Sequence, residues 1–250
     1  ELESKLEVMA EKVSETVDLD SLIALANEAP DIEHKSIHIK KIYDNINIAV
    51  AMDKAFCFYY ADNLDLLREM GANIIPFSPI NDEKLPENID GLIIGGGYPE
   101  VYAKKLSHNK SMRNEIYEAI TLKGLPTIAE CGGFMYLNET LEDIEGTEFE
   151  MVGAINGKSY KTNKLGRFGY INLTAQEDTL ICKKGMSIKG HEFHYWDSTC
   201  NGQSFKAQKP MRKKNWLCIN SINNLFAGYP HLHYYSNIDF ASNFIHKCND

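Results

Sequence analysis

One segment, Thr127-Ile128-Ala129-Glu130-Cys131-Gly132-Gly133-Phe134-Met135-Tyr136-Leu137, limits what this chain can fold into more than any other. A short apolar run ends at a cysteine, two glycines follow, and a helical pattern begins at once. A strand that turns this sharply into a helix needs residues without side chains at the turn, and it projects the apical residue from the sheet's edge, as a nucleophile elbow does. A helix starting there presents N–H groups that lower a thiol's pKa and stabilise an oxyanion. Taken by itself, the segment also suits a buried structural cysteine beside a helix-packing glycine pair.

The flanking sequence has the form an elbow needs. Ile46–Ala51, residues 73–77, Gly91–Ile94 and Thr127–Glu130 read as short apolar strands, with helical patterns at 63–70 (stopped by Gly71) and 111–122. Such alternation predicts an α/β fold with a mostly parallel sheet. Beyond residue 150 the pattern shifts to strands separated by turns, among them 167–173, 188–196 and 225–233, and a helix over 239–247 follows. Ahead of all this, Leu2, Leu6, Met9, Ala10 and Val13 recur at helical spacing. Asp18 is placed to cap a second helix that ends before Pro30, and residues 31–36 read as a polar connector.

Composition excludes several classes. With 250 residues, 44% of them hydrophobic, the chain can bury one sizeable core. A formal charge of −9 disfavours nucleic acid and anionic membranes as partners. No apolar run approaches the roughly 20 residues that span a bilayer, and the first residues lack a signal-peptide pattern. Cys57, Cys131, Cys182, Cys200, Cys218 and Cys248 form no CxxC pair and no zinc-like spacing. Reduced thiols in a cytoplasm, and no metal, are therefore expected.

Three further motifs carry chemistry. In Gly95-Gly96-Gly97-Tyr98-Pro99-Glu100, glycines after a strand let the backbone approach a ligand and aim N–H groups at it. No Gly-Lys-Ser/Thr follows, so this is no phosphate loop; it suits half of an oxyanion hole, or a glycine-rich turn with no ligand. In Tyr229-Pro230-His231-Leu232-His233, residues two apart on a strand face the same way, so the two imidazoles can lie side by side. A thiol nucleophile needs such an imidazole, itself oriented by a partner; a metal site is the alternative. Pro230 before it suggests a strand edge or start. Gly190-His191-Glu192-Phe193-His194-Tyr195 has the wrong histidine spacing for a metalloprotease helix and reads as a structural or substrate-lining strand.

Together with Asp53-Lys54-Ala55-Phe56-Cys57-Phe58-Tyr59-Tyr60, these motifs resemble, in order, the glutaminase domain of the cobyrinic acid a,c-diamide synthase family and of its nickel-sirohydrochlorin relative. The resemblance implies a three-layer, flavodoxin-like sheet with helices on both faces, like that of class I glutamine amidotransferases. It implies a glutaminase domain over 42–250 and a helical connector over 1–41 that follows an ATP-binding half absent from this chain. Cys131 would be the nucleophile and His231 the base, with Gly96, Gly97 and Gly132 supplying oxyanion donors; His233, His194, Glu192 and Tyr98 are candidates for orienting or lining. Glutamine would be the substrate. ATP and Mg2+ would belong to the other half, and a corrin-type or sirohydrochlorin tetrapyrrole would accept the ammonia on its a and c carboxylates.

Two residues depart from related glutaminases. His233 stands where a glutamate is usual, which suggests a Cys–His dyad, and Met135 stands where many carry glutamine. The three glycines allow more than one backbone arrangement, so a poor glutaminase is expected until the acceptor half is loaded. A cysteine peptidase or DJ-1-like hydrolase, or a catalytically silent domain that docks an ATPase, are the alternatives.

Overall fold

A computed structural model describes residues 2–33 and 37–250. The chain divides into two compact units, Glu1–His38 and Ile39–Asp250. In the first, helices Leu2–Thr16 and Leu19–Asn27 bury none of their residues. Asp18 caps the second through the Ser21 amide at 3.0 Å. Residues 34–36 of the expected connector lie outside the described residues.

The second unit is built on a six-stranded sheet in the order Asn220–Ile222, Leu225–Gly228, Thr127–Glu130, Gly91–Ile94, Ile46–Ala51, Ala72–Phe77. Every pairing is parallel except the terminal hairpin of Asn220–Ile222 with Leu225–Gly228. Alternation along these strands sorts side chains to two cores. Ile46, Ile48, Val50, Ile93, Ile128 and Phe226 face one of them. Ala49, Ala51, Leu92, Ile94, Ala129 and Ala227 face the other.

The large residues of the first face meet Leu66 and Leu67 of helix Ala61–Glu69 and Phe240 and Phe244 of helix Asp239–Asn249. Against the alanine-rich face lie Met112 and Ile116 of helix Lys110–Thr121 and Phe134 of helix Gly132–Leu137. Small strand residues let these helices approach, and each buried large side chain contributes about 1.5–3 kcal/mol. The fold is the expected α/β class, a mostly parallel sheet with helices on both faces.

Two expected strands divide between sheets. The run 188–196 becomes Ser187–Phe193, in a five-stranded antiparallel sheet, and Trp196–Ser198, in a four-stranded one. The run 225–233 breaks at Tyr229-Pro230: Leu225–Gly228 stays in the parallel sheet, while His231–Leu232 pairs with Gly190 and His191 of the antiparallel sheet. Pro230, which cannot donate to a ladder, sits at the crossing, and His231 thus lies where two sheets meet.

Candidate active site

Cys131 ends the strand Thr127–Glu130 with φ 50° and ψ −103°, a conformation that costs a non-glycine residue energy. Its amide donates to Gly228 O at 2.8 Å and its carbonyl accepts from Met135 N at 2.9 Å, which fix the turn at both ends. The two glycines are needed for approach. A Cβ on Gly133 would lie 1.9 Å from Ile94 O, and one on Gly132 would meet Pro99 Cδ at 2.9 Å and Gly97 N at 3.1 Å. The Gly97 amide therefore lies against the elbow. The Gly133 amide is already committed to Gly95 O at 2.9 Å, so of the elbow's two glycine N–H groups only that of Gly132 remains for a developing oxyanion.

The glycine loop is tied rather than loose. Gly95 N donates to the Tyr59 hydroxyl at 2.9 Å, and that hydroxyl donates in turn to Ala51 O. Gly96–Gly97 pairs with Phe56–Phe58, and the Tyr98 amide donates to Ala55 O at 2.8 Å. These ties hold the loop in the arrangement seen here. Gly96 serves as clearance, since a Cβ there would stand 2.5 Å from His231 Cε1. The Tyr98 side chain is 59% exposed and lies at the rim. Next along, burial pushes the Glu100 carboxyl up to about 7.

His231 is buried, its ring edge-on to Phe58 at 4.7 Å. The charge of the Cys131 sulfur acts on it, and its Nδ1 faces Glu130 Oε2 at 3.7 Å. Glu130 is held in turn by the Leu232 amide, which donates to its Oε1 at 3.2 Å. Burial opposes a charged imidazole here, but the Cys131 sulfur and the Glu130 carboxylate outweigh it, and the His231 pKa is raised. Beside Glu130 and His231 is a cavity of about 20 Å³, lined also by Tyr59, Tyr60 and Gly95, a size that suits one water molecule.

Glu130 is the residue the sequence reading missed. The signal was present, since a carboxylate closes an otherwise apolar strand directly before the cysteine. It takes the orienting position expected of His233, and that expectation is corrected. His231 lies against Phe58 and His233 against Tyr60, with His233 Nε2 3.3 Å from Asp62 Oδ2 and its side chain 46% exposed. The reason is that the strand ends at Leu232, so His233 lies outside it, at the start of the turn Tyr234–Ser236. Glu192 and His194 do not join the cysteine either. Both are buried 3.6 Å from each other, with Glu192 Oε1 accepting from Trp216 Nε1 at 3.3 Å and His194 stacked on Tyr229 at 3.8 Å.

A cavity of about 790 Å³ is lined by residues such as Leu85, Pro126, Asn224 and Cys248. Pro126 and Asn224 precede their strands, so this cavity is at the amino ends, whereas Cys131 is at the carboxyl end, where open α/β sheets bind their ligands. Size does not make it the site. Among the described residues no cluster of histidine, cysteine and carboxylate groups could hold a metal ion, and no helix is long and apolar enough to cross a membrane.

A strained cysteine elbow at the carboxyl end of a parallel sheet, backed by an imidazole and a carboxylate, defines the class of α/β enzymes that work through a cysteine nucleophile. The chain belongs to the family of CobB/CobQ-like glutamine amidotransferase domains, whose profile matches residues 47–238. It is 41% identical, over 99% of its length, to a cobyrinate a,c-diamide synthase of Caldanaerobacter subterraneus, of which it covers 55%. With the synthase of the same description from Listeria innocua it is 44% identical over 95% of its length and 53% of that protein. The chain thus spans about half the length of these curated relatives. A solved glutamine amidotransferase superposes with a TM-score of 0.52 at 14% identity, covering 76% of this chain and 92% of that one, a likeness of fold.

Proposed function

We propose that this domain hydrolyses glutamine and supplies the ammonia for ATP-dependent amidation of the a and c carboxylates of a corrin-type or related tetrapyrrole acid. The observation that carries the glutaminase step is Cys131 on its strained elbow, its sulfur acting electrostatically on a buried imidazole that faces Glu130. The Cys131 thiolate attacks the side-chain amide carbon of glutamine, and the oxyanion takes the N–H groups of Gly97 and Gly132. His231 gives a proton to the departing nitrogen, so ammonia leaves and a thioester remains. It then takes a proton from water, which attacks the thioester, and glutamate leaves with the thiol restored. Glu130 makes this a Cys–His–Glu arrangement whose carboxylate is next to the nucleophile in sequence.

The tetrapyrrole acceptor is supported by the names of the two relatives. ATP and Mg2+ chemistry is assigned to the part of those longer proteins that this chain does not match. Family membership favours this reading over a peptidase or a DJ-1-like hydrolase. A diazoketone analogue of glutamine tests it. Mass spectrometry should find the label on Cys131 alone among six cysteines, and Cys131→Ala should release no ammonia. Label spread evenly over several thiols, or ammonia release that survives Cys131→Ala, overturns the reading.

A further inference from the structure

A groove of about 560 Å³ opens on the antiparallel sheet around Trp216, and it contains no acidic residue although the chain carries a formal charge of −9. Arg167, Lys209 and Lys214 place their charges 5.3, 5.8 and 5.9 Å from the centre of the Trp216 ring. Arg212 joins them in the lining. Arg68, Lys158 and Lys183 each pair with a carboxylate, but among the described residues none of these four does so. Arg167 Nη1 is buried without a hydrogen bond. The Lys209 ammonium donates to Phe168 O and Tyr170 O and keeps one N–H to spare. Burial first, and then the Lys214 and Arg212 charges, lower the Lys209 pKa against a counter-pull from Glu192. Positive charges crowded around one indole repel one another until an anion with several charges neutralises them. The rim is apolar and flat-faced, with Phe168 57% and Tyr170 77% exposed.

We propose that this groove binds a flat polycarboxylate, whose acid groups pair with Arg167, Lys209, Arg212 and Lys214 while its conjugated face lies on Phe168 and Tyr170. A flat polyanion follows from the groove alone. That its charges are carboxylates, and that the ligand is the acceptor, rests on the amidotransferase reading. The placement accords with that reading, because Trp216 donates to Glu192, next to His191, and His191 pairs across strands with His231.

Uroporphyrin, a planar porphyrin with eight carboxylates, is the probe, followed by its fluorescence anisotropy and by quenching of Trp216. Binding should be saturable and should weaken with salt. The double variant Arg212→Glu/Lys214→Glu changes two exposed side chains and should weaken it at least about tenfold. Trp216→Phe should remove most of the quenching and little of the affinity. Unchanged affinity in the double variant overturns the proposal, as does equally tight binding of inositol hexakisphosphate or of a single-stranded oligonucleotide. Cys131 labelling and ammonia release should be the same in all these variants, so failure of the groove and failure of the glutaminase reading are told apart.

Discussion

The protein holds two buried histidine–glutamate pairs of nearly equal length: His231–Glu130 at 3.7 Å and His194–Glu192 at 3.6 Å. Their surroundings differ. His231 has a thiol on hand and a raised pKa, and it stands where the parallel and antiparallel sheets meet. His194 lies flat on Tyr229, the two rings 8° from parallel, with Nδ1 on Trp196 O and Nε2 facing Glu192. Tyr229 comes two residues before His231, so the second pair forms the floor on which the first is set. Under the proposed function, the same two groups at nearly the same spacing serve chemistry in one place and packing in the other, and what separates them is the Cys131 sulfur beside His231.

The sharpest way to break this comparison is to remove each imidazole. His231→Ala should retain the fold and lose on the order of 10²–10⁴ in glutaminase rate, as removal of a general acid–base does. His194→Ala should show its main cost in thermal stability, on the order of 3–5 kcal/mol for a large buried ring cut to a methyl. A steady-state ammonia assay beside a melting curve separates them. If His194→Ala matched the rate loss of His231→Ala without melting earlier, the floor would have to be promoted to the reaction.

The carboxylates come next. Glu130→Gln keeps the shape and removes the charge that faces Nδ1. An opposite charge this close shifts a pKa by about 1–3 units, each worth about 1.4 kcal/mol, so kcat/KM should fall roughly ten- to a hundredfold. The pH dependence has a definite sign. His231 has a folded pKa above its usual 6.5, so its contribution to stability is full below that value and is lost as pH rises through the raised folded value. Glu130 helps to raise it, so in Glu130→Gln that contribution should be smaller and its loss complete at lower pH. An NMR titration of the His231 ring that showed no downward move would remove Glu130 from the site.

Glu192→Gln should behave otherwise. Its Oε2 is buried without a hydrogen bond among the described residues, so an isosteric neutral amide forfeits no bond there and sheds the cost of burying a charged group. The melting temperature should hold to within about 4 °C and the glutaminase rate should barely change. A rate loss equal to that of Glu130→Gln would show that the two pairs act as one.

The fold was legible because hydrophobic periodicity and the Cys131-Gly132-Gly133 turn are local. So were the elbow's position and the cap at Asp18. What escaped was set by the meeting of elements far apart in sequence. Residues 225–233 read as one strand because Pro230, which suggests an edge or a strand start, does not say which sheet the chain joins next. Glu130 escaped because its partners, His231 and the Leu232 amide, lie a hundred residues away, and at the end of an apolar strand it looked like a solvated terminus. His233 was given Glu130's place because the same-face argument needs both histidines on one strand, and the strand ends at Leu232.

The smallest effect expected belongs to a third pair, and it sharpens the comparison most. His233 Nε2 and Asp62 Oδ2 are only 3.3 Å apart, closer than either buried pair, with side chains 46% and 50% exposed. If proximity ranked these pairs, this one would lead. In water, however, an ion pair gains little, because solvent screens the charges and holding two side chains together costs entropy; such pairs are worth about 0–1 kcal/mol. The ring also lies 6.2 Å from Tyr60, a contact of modest value at an exposed site. His233→Ala should therefore retain glutaminase activity to within about threefold and melt within about 4 °C of the parent. Asp62→Asn should do no more. Measured beside His231→Ala, the two variants ask whether surroundings or distance assigns a histidine its work. A loss in His233→Ala approaching that in His231→Ala would favour distance and return His233 to the orienting role.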